Sequence, residues 1–299
     1  MSSELTMNIQ PLTRELINER FAEVIEATAD YEVVYEDILG EGEGGWDANP
    51  RYPARKVNCF IWLQLVISEV YGKGVADKTA IMDRIRYFGG HVGFSMRKHY
   101  IDQWAALEPA PLVPVDLRLG CETTKRAVRL DPQVLLADRA FPCPLYKMNR
   151  VTFEIEYWSQ ESLLGCVGKL RPGYYVMFAV AADRYIECYP GNGPMGLVHS
   201  IILRVDSPGE ETGEAPAPSR ATVFHASTAA GRVLTASLET YVEKQRRIHL
   251  GYALYELDPL WDFRRPVPLD DEARSLLELE ARIPEKRQSW GFKDMSGTS

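Results

Sequence analysis

The chain has 299 residues, enough for one large domain or two modest ones with a sizeable core. With 45% hydrophobic and 25% charged residues it has the balance of an ordinary globular protein, which excludes a disordered or fibrous chain. A net charge of −8, from 34 Lys and Arg against 42 Asp and Glu, argues against a nucleic-acid binder, whose affinity would rest on neutralising phosphates with a basic surface.

Along the chain, Leu12, Leu16, Ile17, Phe21, Ile25 and Ala27 recur at helical spacing and predict a helix over 10–28. The segment EDILGEGEGGWDANPRYPARK is rich in Gly, Pro and acids and reads as a loop. NCFIWLQLVISEVYG follows as about four turns of helix, apolar nearly all round and therefore buried, with Gly72 as its C-cap. A second helix is expected over KTAIMDRIRYFGG, stopped by Gly89-Gly90, and the Pro-bearing stretch 110–145 is expected to be irregular.

From Val151 the texture turns to β-rich runs: VTFEIEYW, YYVMFAVAA, HSIILRV and ATVFHAS. The last two are separated by the acidic, Pro- and Gly-rich loop 206–220, which suits a long hairpin loop or a lid. A helix is expected at LTASLETYVEKQRRIH, then a strand at GYALYEL and a loose polar tail. Helices first and antiparallel strands later give an α+β domain over 51–285, preceded by a helix and loop over 1–50 and followed by a tail over 286–299.

No apolar run reaches the roughly 18 residues of a membrane span, and the N-terminal segment lacks the pattern of a secretory signal. The five cysteines, Cys59, Cys121, Cys143, Cys166 and Cys188, are an odd number without a CxxC pair, so free thiols in a reducing cytoplasm are expected. Of these, Cys59 alone stands at the start of a buried helix, where the dipole and free N–H groups favour a thiolate. Such a nucleophile needs an imidazole and a group to orient it. Among His91, His99, His199, His225 and His249, the pair His199 and His225 lie on consecutive predicted strands that can bring both to one end of a sheet. No zinc-type ligand spacing, GxGxxG or P-loop is present, so neither metal nor cofactor is expected.

The ordered segments NCFIWLQLV, DRIRYFGG, RKHYIDQW, KLRPGYYVMF, LVHSIIL and FHASTAAGRV, followed by LETYV, resemble the N-acetylmuramoyl-L-alanine amidase-like branch of the NlpC superfamily of papain-like cysteine amidases. The resemblance spans about residues 50–257. It implies an α+β papain-like fold in which a nucleophile helix packs on an antiparallel sheet, with Cys59 as nucleophile, His199 as base and His225 at the third polar position.

The chain departs from the amidases in reading Asn58-Cys59-Phe60-Ile61-Trp62 at the nucleophile and Gly173-Tyr174 at the turn. On those departures it is similar to the stand-alone Dieckmann cyclases of tetramate and pyridone pathways. That likeness implies release of a carrier-bound aminoacyl β-ketoamide thioester as a ring through a Cys59 acyl-enzyme, with Asp83 as third member and Asp102 in reserve. It further implies an acyl carrier protein as partner, docked on Arg51, Arg55, Lys56, Arg97 and Lys98. The alternative is a cysteine amidase or peptidase acting on cell-wall fragments.

Overall fold

The computed structural model describes residues 12–35, 38–99, 101–106, 111–115, 121–129, 142–147, 152–183, 196–207 and 221–283. The first helix, α1 (Arg14–Ala27), is capped by the Thr13 side chain and buries Ile17, Phe21 and Ile25, a stripe spaced by four. Two-residue strands β1 (Glu32–Val33) and β2 (Lys56–Val57) pair in parallel and deliver the chain to α2 (Cys59–Tyr71). Every residue of α2 from Ile61 to Val70 except Glu69 is buried, as its unbroken apolarity requires. Gly72 caps it with extended backbone, its N–H reaching Ser68. The helix α3 (Val75–Arg86) ends before Gly89 and Gly90, whose φ values of 66° and 78° demand glycine at the turn.

The predicted loop after β1 is not a solvated connection. Glu41 and Asp47 are buried in it and accept from Arg97, while Arg86 donates to the Leu39 and Gly40 carbonyls. The Gly-rich sequence lets the backbone fold tightly around these charges, which loop composition alone does not reveal.

After α4 (Ile101–Ala106) come the strands β3 (Leu112–Pro114) and β4 (Thr123–Arg129), so part of the stretch expected to be irregular is sheet. β4 pairs with β5 (Thr152–Ser159), and its Thr-Thr-Lys-Arg sequence lacks the apolar alternation that marks strands, because it lies at the sheet edge. A short helix α5 (Gln160–Cys166) leads to β6 (Gly173–Ala181), β7 (Leu197–Val205), β8 (Ala221–Ser227) and β9 (Arg232–Ser237). Only then does α6 (Leu238–Gln245) begin, capped by Ser237. The LTAS run assigned to this helix is instead strand, held by Leu234 opposite His225 and Ala236 opposite Val223.

The last strand, β10 (His249–Leu257), inserts between β5 and β6, giving the order β4-β5-β10-β6-β7-β8-β9 with β3 also on β10. All these pairings are antiparallel. A final helix, α7 (Asp271–Ala281), packs Ala273 and Leu276 on Phe88 and Tyr146. The bulk of loop 206–220 and the tail from 284 lie outside the described residues. The architecture is thus mixed helix and antiparallel sheet, as the α+β reading expects.

The sheet divides two cores. One face packs α1 and α2 through residues such as Ile17, Trp62, Val176, Phe178 and Ile202. The other carries Met177, Ile201, Leu203 and Val223 against Leu163, Leu238 and Tyr241 of α5 and α6.

The expectation of free thiols throughout is overturned at two positions, because Cys121 and Cys166 form a disulfide across 45 residues of sequence. Cys59 and Cys143 are free. The pairing escaped detection because a single distant Cys pair leaves no spacing signature; the fold brings the chain before β4 to the end of α5. Among the described residues no helix is long and apolar enough to cross a membrane.

Candidate active site

Cys59 is the first residue of α2. The Asn58 side chain accepts from the Ile61 N–H at 2.8 Å, fixing the helix start. The thiol therefore sits where backbone N–H groups are unpaired by the helix itself. Burial pushes its pKa up, and this is the largest influence; hydrogen bonds from the Ser200 main chain and hydroxyl, and from the N–H groups of Phe60 and Cys59, pull the other way. Burial prevails, so the resting group is the neutral thiol. Phe60 anchors the helix start by packing edge-on against Trp104, which packs on Phe178 of β6.

The strand β7 places His199 opposite Ala179 and Ser200 opposite Phe178, with a register irregularity beside His199 at Ala179/Val180. Successive strand residues point to opposite faces, so Ser200 faces α2 and His199 faces α6. The Ser200 hydroxyl donates to the Cys59 carbonyl at 2.5 Å. Among the described residues no hydrogen bond joins the Cys59 thiol directly to His199; the two groups are brought to adjacent residues of one strand.

His199 Nε2 lies 3.1 Å from His225 Nδ1, with the rings edge to face. One nitrogen donates and the other accepts, so the neutral pair shares a single proton between them. Beyond His225 stand Tyr241, at 5.0 Å between ring centroids, and then His249 and Tyr252, joined at 3.3 Å through His249 Nδ1 and the Tyr252 hydroxyl.

Burial drives every member of this cluster toward its neutral form. It lowers His199 well below the ordinary histidine value, helped by the proximity of His225 and His249. It brings His225 down to about 4 and His249 to about 3, with Lys244 and His225 respectively adding to the effect. It raises the Tyr241 phenol, on which Tyr252 and Cys59 also act. The Tyr241 hydroxyl is buried and has no hydrogen-bond partner among the described residues.

Of the expected site residues, the structure joins His199 to His225 by a hydrogen bond and ties Cys59 to the His199 strand through the neighbouring Ser200. It does not bring Asp83 to them. Asp83 is buried on α3 and its carboxylate is gripped by Arg51, with Nε 3.1 Å from Oδ1. Burial raises the Asp83 pKa and Arg51 opposes the rise. Asp102 stands in α4, and its side chain lies outside the described residues.

The expected carrier-docking patch is not a free basic surface. Arg97 and Lys98 are buried, Arg97 against Glu41 and Asp47 and Lys98 against the Arg84 and Ile85 carbonyls. Arg51, Arg55 and Lys56 pair with Asp83, Asp30 and Glu32. Among the described residues no group of three or more His, Cys, Asp or Glu side chains is arranged to hold a metal ion.

Sequence reasoning missed Ser200, Tyr241 and Tyr252, and left His249 without a role. The available signals were the position of Ser200 next to His199 and of Tyr241 in the LETYV helix.

This architecture is similar to solved structures. A Legionella pneumophila protein of family DUF1460 superposes with a TM-score of 0.63 at 15% identity, covering 80% of this chain and 88% of that one. An N-acetylmuramoyl-L-alanine amidase from Bacteroides uniformis gives a TM-score of 0.55 at 15% identity, covering 80% of this chain and 99% of that one. At such identities the likeness is one of fold. No protein of curated function matches in sequence. The family model for AmiA-like, N-acetylmuramoyl-L-alanine amidase-like proteins matches residues 35–248, which include Cys59, His199 and His225. The chain belongs to the AmiA-like, N-acetylmuramoyl-L-alanine amidase-like family.

Proposed function

We propose that the protein is a cysteine amidase that hydrolyses the amide between N-acetylmuramic acid and L-alanine in cell-wall fragments. The observation that carries the reading is Cys59 at the capped start of a buried helix, tied to the strand whose His199 is hydrogen-bonded to His225. Family membership supports it.

In this reading His199 takes the thiol proton as the Cys59 sulfur attacks the carbonyl carbon of the amide. The tetrahedral intermediate collapses as His199 gives that proton to the departing L-alanyl nitrogen, leaving a muramoyl thioester on Cys59. Water, deprotonated by His199, then attacks the thioester and the cysteine leaves as the thiol. His225 holds the His199 ring through its second nitrogen, as a third group does in a cysteine or serine triad. A thiol and an imidazole that are both neutral at rest suit this sequence. In this reading the oxyanion is received by first-turn N–H groups of α2 that the helix itself leaves unpaired, next to the attacking sulfur of Cys59.

The Dieckmann-cyclase reading is set aside. The cations expected to dock a carrier protein are engaged in pairs and internal hydrogen bonds. The Cys121–Cys166 disulfide also belongs to the chemistry of an oxidising compartment, where cell-wall substrates are met, rather than a reducing one.

The test is incubation of wild type and Cys59→Ala with a muramoyl-L-alanyl peptide and, separately, with a β-ketoamide thioester mimic, followed by mass spectrometry. Release of a free L-alanyl peptide by wild type alone is the expected result. A ring product from the thioester with the muramoyl amide left intact would replace this reading with the cyclase.

A further inference from the structure

The reaction at Cys59 assigns no role to the Pro172-Gly173 turn that leads into β6. The residues on either side of that turn, Arg171 and Tyr174, line a cavity of about 210 Å³ whose other walls are the first turns of α1 and the chain at the end of β10. We propose that this cavity binds the C-terminal carboxylate end of a short apolar peptide, at a site separate from the catalytic centre.

The position follows from two antiparallel helices. Trp62, in the first turn of α2, donates to the Thr28 hydroxyl at the end of α1 at 2.9 Å, and Arg20 of α1 donates to the Val70 carbonyl at the far end of α2. Arg14, at the start of α1, therefore lies beyond the end of α2 opposite to Cys59, with about 18 Å of helix between the two.

The polar groups are held in place by the chain itself. Arg14 gives Nη1 to Glu256 Oε2 at 2.6 Å and Nη2 to the Tyr175 hydroxyl at 3.0 Å, and that hydroxyl donates in turn to the Arg171 carbonyl. Arg171 Nη2 stands 3.5 Å from the same Glu256 oxygen, so one carboxylate answers two guanidinium groups and a positive charge is left in excess. Asn18 Oδ1 accepts from the Tyr174 N–H at 3.0 Å, which orients the amide and leaves Nδ2 as a donor with no hydrogen bond among the described residues. Gly173 permits this approach, because its φ of 141° is one that other residues rarely adopt and a Cβ there would stand 2.9 Å from Asn18 Nδ2.

The class of ligand follows from what is left over. The unused groups are donors: Asn18 Nδ2 and the Arg171 guanidinium, whose side chain is 73% exposed. An excess of one positive charge matches a monoanion, and planar guanidinium and amide donors match the two oxygens of a carboxylate. Ile17, Leu257 and Pro259 add apolar walls that a bare inorganic anion would leave uncovered. The volume is below the roughly 300–1,000 Å³ of sites for drug-sized ligands, which suits the last small residues of a peptide.

The experiment is isothermal titration calorimetry of the full chain carrying Cys59→Ala, which prevents turnover, with N-acetyl-alanyl-alanine, its C-terminal amide and acetate. Saturable binding of the free dipeptide acid is expected, with the amide and acetate each at least about tenfold weaker, the one for want of charge and the other for want of an apolar body. In the same background, Arg171→Gln removes an exposed cation. Asn18→Asp keeps the acceptor for the Tyr174 N–H and replaces the free donor with negative charge. Each should weaken binding of the acid at least about tenfold, with thermal melts identifying the folded variants. Absence of saturable binding, equal affinity for acid and amide, or undiminished affinity in either folded variant overturns the proposal. Acetate binding as well as the dipeptide acid overturns the peptide as occupant and leaves a simple anion site. None of these outcomes depends on whether a muramoyl amide is cleaved at Cys59, so this inference and the amidase reading fail separately.

Discussion

On the Cys59 sulfur, burial acts against the negative charge while the helix N-terminus and Ser200 act for it, and burial is the larger. The same burial holds His199 and His225 neutral. A prediction follows for the pH profile. Because His199 titrates well below the ordinary 6.5, the acid limb of kcat/KM on a muramoyl amide should fall below pH 6.5. Replacing His225 with Phe removes the partner of His199 Nε2, and kcat is expected to drop by about 10²-fold or more, in line with the usual worth of acid–base positioning. Initial-rate measurements from pH 4.5 to 9 check both; Phe at 225 with unchanged kcat would show that the third position is dispensable. Asp83→Asn, by contrast, should leave kcat within about twofold and lower stability by only about 1 kcal/mol, because it deprives the Arg51 guanidinium of a partner while that guanidinium stays in reach of water, and it takes nothing from the imidazole.

Between residues, the helix α2 and the loop before it carry the site. Asn58→Ala removes the cap on Ile61 N–H and is expected to cost about 1 kcal/mol in urea unfolding. The buried loop is a stronger case. Arg97 answers both Glu41 and Asp47, so Arg97→Met leaves two carboxylates in the interior and should cost about 3–5 kcal/mol. A change of less than about 1 kcal/mol would mean that water reaches those carboxylates. At this scale the legibility of the sequence divides by periodicity. α1, α2 and β5 to β8 were readable because their apolar residues recur at 3.6 or fill short β-rich runs. β4 and β9 were not, because edge and near-edge strands carry Thr, Lys, Arg and Ser, which pattern like loops.

For the molecule as a whole, two features set the response to conditions. Folded His225 takes up its proton near pH 4 and the unfolded chain near 6.5, so the unfolded state binds protons first as pH falls. The stability that depends on neutral His225 is therefore complete above pH 6.5 and is lost as pH falls from 6.5 to about 4, by about 3 kcal/mol. His249 adds a loss of the same sign. Urea midpoints at pH 7.5 and 5 should show the decline, and His249→Phe should flatten it. The second feature is the disulfide, which closes 45 residues of chain between the start of β4 and α5. Its reduction is expected to cost about 2–4 kcal/mol, read as a lower unfolding midpoint with dithiothreitol.

The sequence by itself determined the mixed α and antiparallel β class, the buried nucleophile helix with Cys59 at its head, and the pairing of the strands that bear His199 and His225. Each is written in local periodicity or in capping, which act over a few residues. Only the tertiary structure decided that His225 rather than Asp83 meets His199, that Arg97 and Lys98 point inward, that Ser200 reaches Cys59 and that Cys121 finds Cys166. Those are contacts between residues far apart in the chain. Which charge is buried, and beside what, follows from packing of whole elements against one another.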